Sequence, residues 1–196
     1  ENLEQQVIIA DNTAHKQNLL AWLLLNETFN KALVFTNSRA QADSLSGVLQ
    51  GKRVRCGVLH GEMDQKERNR IMALFRLGTI NTLIATDLAA RGLDIEGVEL
   101  VVNFDMPRTG VHYIHRIGRT GRGDTSGITV ALVQASEWNL MINIERFLKQ
   151  NFKRRTIEGL EGTYTGPKKL KASGKAAGSK KKKLAKKAAA KKGKKR

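Results

Sequence analysis

Three features of the sequence predict an α/β fold, a parallel sheet with helices on both faces. Between Gln6 and about Leu148, short β-rich runs alternate with helical patterns, the rhythm of strand–helix–strand units. Most of the strand runs are continuously apolar rather than alternating, as required where helices cover both faces of the sheet. The chain of 196 residues is long enough for one domain with a sizeable core plus an appendage, and too short for a second full domain.

In chain order, Val7–Ala10 reads as the first strand, and Asp11 to Thr13 offer side-chain oxygens to cap a helix running through Trp22. Ala32–Thr36 is the next strand, Ser38 caps a helix through Leu49, and Val54–Leu59 follows, with Cys56 as a small apolar strand residue. Asp64 starts a helix whose Ile71, Met72, Leu74 and Phe75 form an apolar stripe. Thr82–Ala85, Leu100–Asn103 and Thr129–Val133 complete the strands, and a helix beyond Pro107, running to near Gly121, carries His112, His115, Arg116 and Arg119. A last helix over Glu137 to Lys149 turns Trp138, Met141, Ile142, Glu145, Phe147 and Leu148 towards the sheet.

The net charge of +17 is unevenly spread. Residues 1–150 hold 17 Lys/Arg and 16 Asp/Glu, whereas residues 151–196 hold 18 and 2. A nearly neutral body, residues 1–160, is therefore followed by a polycationic segment, residues 161–196. From Gly166 the composition turns to Lys, Ala, Gly and Ser with almost no large apolar side chains, which predicts a disordered basic tail because little surface is available to offset the ordering entropy. No run approaches the eighteen or so apolar residues of a membrane span, and Leu19 to Leu25 is too short. The lone Cys56 forms no internal disulfide, and no basic-then-apolar leader opens the chain, so an intracellular protein without membrane partners is expected.

In an open parallel sheet, ligands bind beyond the C-terminal ends of the strands. The loops there are rich in polar residues: Thr36, Asn37, Ser38 and Arg39; His60, Gly61 and Glu62; Thr86, Asp87, Arg91, Gly92 and Asp94. HRIGRTGR adds four His or Arg side chains within eight residues. Arginine cannot deprotonate and its planar fork matches pairs of phosphate oxygens. Arg119 and Arg122, three apart, would project together from a helix reaching Gly121 and grip one phosphoryl group. His112 and His115 share a helix face but lack carboxylate or cysteine partners, so no metal site is expected.

Five ordered strings resemble the C-terminal RecA-like domain of DEAD-box RNA helicases of superfamily 2: LVFTNSRAQAD (Leu33–Asp43), LHGEMDQKERNRIMALFRLG (Leu59–Gly78), LIATDLAARGLD (Leu83–Asp94), VNFDMP (Val102–Pro107) and HRIGRTGR (His115–Arg122). The resemblance implies a RecA-like sheet, ATP as cofactor and RNA as partner. It implies that Asp94 meets the nucleotide ribose with Gly92 allowing close approach, that Arg119 and Arg122 are arginine fingers for the γ-phosphate, and that His115 and Arg116 couple the nucleotide site to the rest of the motor. It further implies that Thr86, Arg68, Gln65 and the backbone around Gly61 meet RNA. Ser38 stands where family members often have Thr, and keeps the hydroxyl for the same surface.

Two family parts are absent from the sequence, a G-x-x-x-x-G-K phosphate loop followed by Ser or Thr, and the DEAD tetrapeptide. These hold the phosphates and Mg²⁺, so both fall to an N-terminal lobe that this sequence does not contain, and the fragment alone is expected to be inactive. The alternatives are a DNA-directed superfamily 2 motor lobe, which the QxxR string and ATDLAARGLD disfavour, and a non-enzymatic RNA-binding module acting through its tail. The Lys-rich tail suits the bacterial cytoplasm, or the nucleolus in a eukaryote.

Overall fold

The computed structural model describes residues 3–121 and 126–178. Seven strands form one all-parallel sheet: β1 (Leu3–Ile9), β2 (Ala32–Thr36), β3 (Cys56–Leu59), β4 (Thr82–Thr86), β5 (Leu100–Asn103), β6 (Gly127–Val133) and β7 (Lys153–Arg154), in the spatial order β3-β4-β2-β5-β6-β1-β7. The helices are α1 (Thr13–Asn26), α2 (Arg39–Gly51), α3 (Gln65–Leu77), α4 (Asp87–Ala90), α5 (Gly110–Ile117) and α6 (Trp138–Leu148). The predicted α/β class and parallel sheet are as observed.

Strand parity decides which helix each residue meets. Ile8, Val34, Ile84, Val102 and Leu132 pack beneath Leu19, Leu23, Leu45 and Leu49 of α1 and α2. Leu33, Phe35, Leu83 and Val101 face Ile71, Met72 and Phe75 of α3, and Val7, Ala131 and Val133 face α5 and α6. Both faces of the central strands are dry, which explains their unbroken apolar runs. Predicted caps also hold locally: Ser38 accepts from Gln41 N (3.2 Å) and Asp64 from Glu67 N (2.8 Å), while Asn12 caps α1 by accepting from His15 N (2.9 Å).

The structure differs from the sequence reading at α4, β7, α6 and α5, and several element ends move: β1 starts at Leu3 rather than Val7, α1 runs to Asn26 rather than Trp22, and β6 starts at Gly127 rather than Thr129. The short helix α4 and the edge strand β7 are additional. In α6, Ile144 is buried while Phe147 is half exposed, its ring lying over Gly110, where a Cβ would meet it at 2.1 Å. Helix α5 ends at Ile117, because Thr120 is drawn away to pair with Val98, its hydroxyl donating to Val98 O at 2.5 Å.

Ordered chain also continues past the predicted end of the body. Arg155 N donates to Val7 O (2.9 Å), Ile157 is buried against α1 and α2, and residues 160–178 then cross the starts of α1 and α6 as a strap. His15 Nε2 meets Leu160 O at 2.7 Å, and the Asp11 carboxylate accepts from Thr163 N (3.0 Å) and Tyr164 N (2.6 Å). The Trp138 indole N–H donates to Gly174 O (3.1 Å) and Ala176 N to Asn139 Oδ1 (2.8 Å). Counting apolar side chains misses this segment because backbone hydrogen bonds and close glycine contacts hold it. A Cβ on Gly162 would lie 2.7 Å from Asp11 Oδ1, and Gly174 sits at φ +79°. Residues 179–196, the remainder of the predicted basic tail, lie outside the described residues.

The residues that hold the strap adjoin, in sequence, a largely buried ion pair. Lys16, 1% exposed, donates to Phe104 O (2.7 Å) and pairs with Glu137, whose other oxygen accepts from Met106 N (2.8 Å). The two side chains thereby hold the chain leaving β5 at Phe104 O and Met106 N.

The Asp11 contacts carry a pH dependence. The backbone N–H groups of Tyr164 and Thr163 hold the Asp11 carboxyl below its usual value. Its contribution to strap docking is thus complete above the unfolded carboxylate pKa of about 3.9 and lost as pH falls through the lower folded value. Amide exchange measured by NMR is expected to lose protection at Thr163 and Tyr164 below about pH 4, while the central strands stay protected. In Asp11→Ala those two amides should be unprotected at neutral pH as well.

Candidate functional site

At the C-terminal edge of the sheet one guanidinium connects three loops. Helix α5, capped by Thr109 Oγ1 accepting from His112 N (3.2 Å), carries Arg116 in its last turn, 1% exposed. Arg116 Nε and Nη2 donate to the two oxygens of Asp87 (2.7 Å each), and Nη2 also reaches Asn37 Oδ1 (2.7 Å). Nη1 donates to Asn103 Oδ1 (3.1 Å) and Asp105 O (2.7 Å), and the Phe35 ring lies 5.2 Å away. These five bonds use all five N–H donors of the side chain. Arg116 therefore has no donor left for a ligand; it joins the loops after β2, β4 and β5. Its neighbour His115 is exposed and lines a cavity of about 490 Å³ together with Asp87, Arg91, His112 and Arg119.

Arg119 reaches this cavity from a turn rather than from the helix. Its Nη1 donates to Leu93 O (2.9 Å), which puts it against the segment holding Gly92 and Asp94. Gly92 has φ +73°, a left-handed backbone that favours glycine, and a Cβ there would meet no atom of the described residues within 4 Å. Asp94 is exposed. The same-face argument for Arg119 and Arg122 does not hold, because α5 stops at Ile117; Arg122 lies outside the described residues.

Ser38 and Gly61 follow the C-terminal ends of β2 and β3, and Thr86 is the last residue of β4; the three strands are neighbours, spaced about 4.8 Å apart. Arg68 Nη2 donates to Ala89 O (3.2 Å), tying α3 to the short α4 that starts after Thr86. Gln65 Nε2 donates to Asn69 Oδ1 (2.8 Å) on the exposed first turn of α3. The Ser38 Oγ is already an N-cap acceptor, and its O–H stays available as a donor.

Four residues of this site carry no assigned role in the sequence reading: Asn37 and Asp87, named there only as polar loop residues, and Asn103 and Asp105. Asp105 Oδ2 accepts from Asn37 N (2.9 Å), and Asn37 Nδ2 donates to Met106 O (3.0 Å). One signal was available, since Asn103 ends an otherwise apolar strand and is fully buried, a place where an amide requires a partner. These groups suit part of a nucleotide: the Arg119 guanidinium as donor to phosphate oxygens, the exposed Asp94 carboxylate as acceptor from sugar hydroxyls. Among the described residues no three His, Cys, Asp or Glu side chains are placed to hold a metal ion.

The helicase conserved C-terminal domain family matches residues 15–124. The ATP-dependent RNA helicase SrmB of Haemophilus influenzae is 38% identical over 168 residues, 86% of this chain and 38% of SrmB. The ATP-dependent RNA helicase eIF4A of Chaetomium globosum is 40% identical over 147 residues, 75% of this chain and 37% of that protein. The chain thus spans well under half the length of these relatives. Among solved structures, the Escherichia coli DEAD-box protein SrmB bound to regulator of ribonuclease activity A superposes with TM-score 0.83 at 36% identity, covering 86% of this chain and 99% of that one. Saccharomyces cerevisiae Dbp5 bound to RNA and ADP BeF3 gives TM-score 0.72 at 31% identity, covering 78% and 41%.

Replacing Arg116 tests the junction. Arg116→Lys keeps the charge but not the planar fork, leaving Asp87, Asn103 and Asn37 short of partners, and is expected to cost on the order of 3 kcal/mol in urea unfolding. A loss under about 1 kcal/mol would mean that the three loops hold their places without it.

Proposed function

The chain belongs to the helicase conserved C-terminal family, as the C-terminal RecA-like lobe of a DEAD-box helicase, and on that premise we propose that it is one half of an ATP-dependent RNA helicase. In this reading it supplies the arginine fingers and half of the RNA-binding surface. The observation that carries it is the placement of Arg119 against the Gly92–Asp94 segment, with Arg116 linking that side of the edge to the loop ends bearing Ser38 and Thr86.

Bound ATP would supply the γ-phosphoryl group transferred to water, with Mg²⁺ and most of the phosphate grip provided by the absent N-terminal lobe. Arg119, with Arg122, places positive charge where negative charge gathers in the transition state, an effect worth about 10³ to 10⁵ in rate for arginine fingers generally. Asp94 accepts hydrogen bonds from ribose hydroxyls, and His115 lines the approach. Thr86, Ser38, Arg68, Gln65 and the Gly61 backbone take RNA phosphates and 2′-hydroxyls, which favours RNA over DNA without reading bases. With both ligands in one cleft, each favours closure and so favours the other. A strand held through its backbone in a shape that a duplex cannot follow sheds its complement locally. The basic segment 161–196 adds sequence-independent affinity for RNA, and the site of action is the cytoplasm.

The purified fragment is expected to hydrolyse no ATP with or without RNA, measured by phosphate release. In a two-lobed chain Arg119→Ala should lower turnover by at least about 10³ while RNA affinity stays within a few-fold. Equal loss of both would remove the finger assignment.

On the RNA side, Arg68→Ala and Thr86→Ala in the two-lobed chain are expected to weaken ATP-dependent RNA binding, by about tenfold for the arginine if one charged hydrogen bond of 1.5–3 kcal/mol is lost. Nucleotide affinity should be little changed. RNA and DNA titrated side by side separate this reading from a DNA-directed motor lobe, which would show no preference for RNA, and from a passive RNA-binding module, which would show no stimulation of ATPase.

A further inference from the structure

The end of the strap builds a second basic surface. Residues 169–177 form a small hairpin: Ala177 N donates to Lys169 O (2.8 Å), Lys171 N to Lys175 O (2.8 Å), Gly174 N to Lys171 O (2.9 Å), and Leu170 pairs with Ala176 antiparallel. Trp138 and Asn139 fasten it to α6 through Gly174 O and Ala176 N. Between the hairpin and the C-terminal half of α6 lies a cleft of about 330 Å³. Arg146 and Lys149 line one side, Ser173 and Gly174 the other, and Lys171 and Lys175 flank that second side in the chain. Glu145 also lines the cleft, but it is buried and already accepts from Arg154 (3.0 Å) and Phe152 N (2.9 Å). None of Arg146, Lys149, Lys171 and Lys175 has an ion-pair partner among the described residues.

A helix C-terminus attracts cations, which accounts for Arg146 and Lys149 without any ligand. It does not account for a hairpin that seats Ser173 and Gly174 in the cleft with two more unpaired lysines, Lys171 and Lys175, beside them in the chain. We propose that this cleft is a second RNA site, separate from the cleft between the lobes, in which the four cations hold a phosphodiester backbone. Gln150, Asn151 and Ser173 offer hydrogen bonds to phosphate and sugar oxygens. A protein partner would need an apolar centre, and the lining offers only Ile142. The chain leaving the hairpin carries eleven further Lys/Arg in residues 179–196, which favours a polyanion long enough to meet both. The proposal rests on the RNA-helicase reading.

The experiment uses the whole 196-residue chain. A variant with Arg146→Gln, Lys149→Gln, Lys171→Gln and Lys175→Gln is compared with a control carrying Lys180→Gln, Lys181→Gln, Lys182→Gln and Lys183→Gln, which removes the same charge. A labelled single-stranded RNA is titrated by anisotropy over a range of salt, and melting temperatures verify folding. The cleft variant is expected to flatten the log–log salt slope by roughly 0.7 for each phosphate released and to lose several times more affinity than the control. RNA should also slow amide exchange at 146–150 and 171–177 in the unaltered chain. Equal losses in the two variants, or no protection at those segments, overturn the site and leave the helicase reading intact. A chain with no affinity for RNA overturns both readings. Polyglutamate protecting the same segments in place of RNA would assign the cleft to an acidic polypeptide and overturn the proposal.

Discussion

The buried guanidinium of Arg116 is the contact on which the C-terminal edge of the sheet depends. A charge with 1% exposure is tolerated only when every donor is met, and its partners come from the loops after β2, β4 and β5. Two of those loops also adjoin a residue of the candidate site, Ser38 next to Asn37 and Thr86 next to Asp87, and on α5 His115 lies beside Arg116 itself. Because the requirement to satisfy all five donors is shared, a shift in one loop disturbs the others.

The same loop after β5 is held a second time. Lys16 and Glu137 grip Phe104 O and Met106 N, while Arg116 and Asn37 take Asp105 O and Met106 O. The strap fastens to the residues around that ion pair, Asp11 and His15 at the start of α1 and Trp138 and Asn139 at the start of α6. A segment with few apolar side chains thereby becomes part of the body. It stabilises through the satisfaction of backbone donors and acceptors, and its glycines let the chain lie against Asp11 and Ile142.

Charge is divided along the chain in a way that fits two tasks. The body is close to neutral, and its cations at the ligand edge are placed singly by secondary structure. The cations beyond residue 166 are numerous, and those in the hairpin are presented by a fixed turn. A neutral body with positioned arginines can discriminate geometry, whereas a dense run of lysine adds attraction that salt screens.

The sequence by itself determined the fold class, the strands β2 and β5 to the residue, the caps at Ser38 and Asp64 and the strings that carry the family resemblance. These depend on local periodicity, capping chemistry and order along the chain, all of which are written in neighbouring residues. Tertiary structure decided the rest. Where α5 ends depends on Thr120 bonding to Val98, a residue 22 positions away. That Arg116 serves as a junction depends on Asn37, Asp87, Asn103 and Asp105 arriving from three separate loops. The docking of residues 160–178 depends on Asp11 and His15, about 150 residues distant. Composition counts what a segment could bury, but a polar contact forms only where the fold has already placed its partner, and that placement has no local signature in the chain.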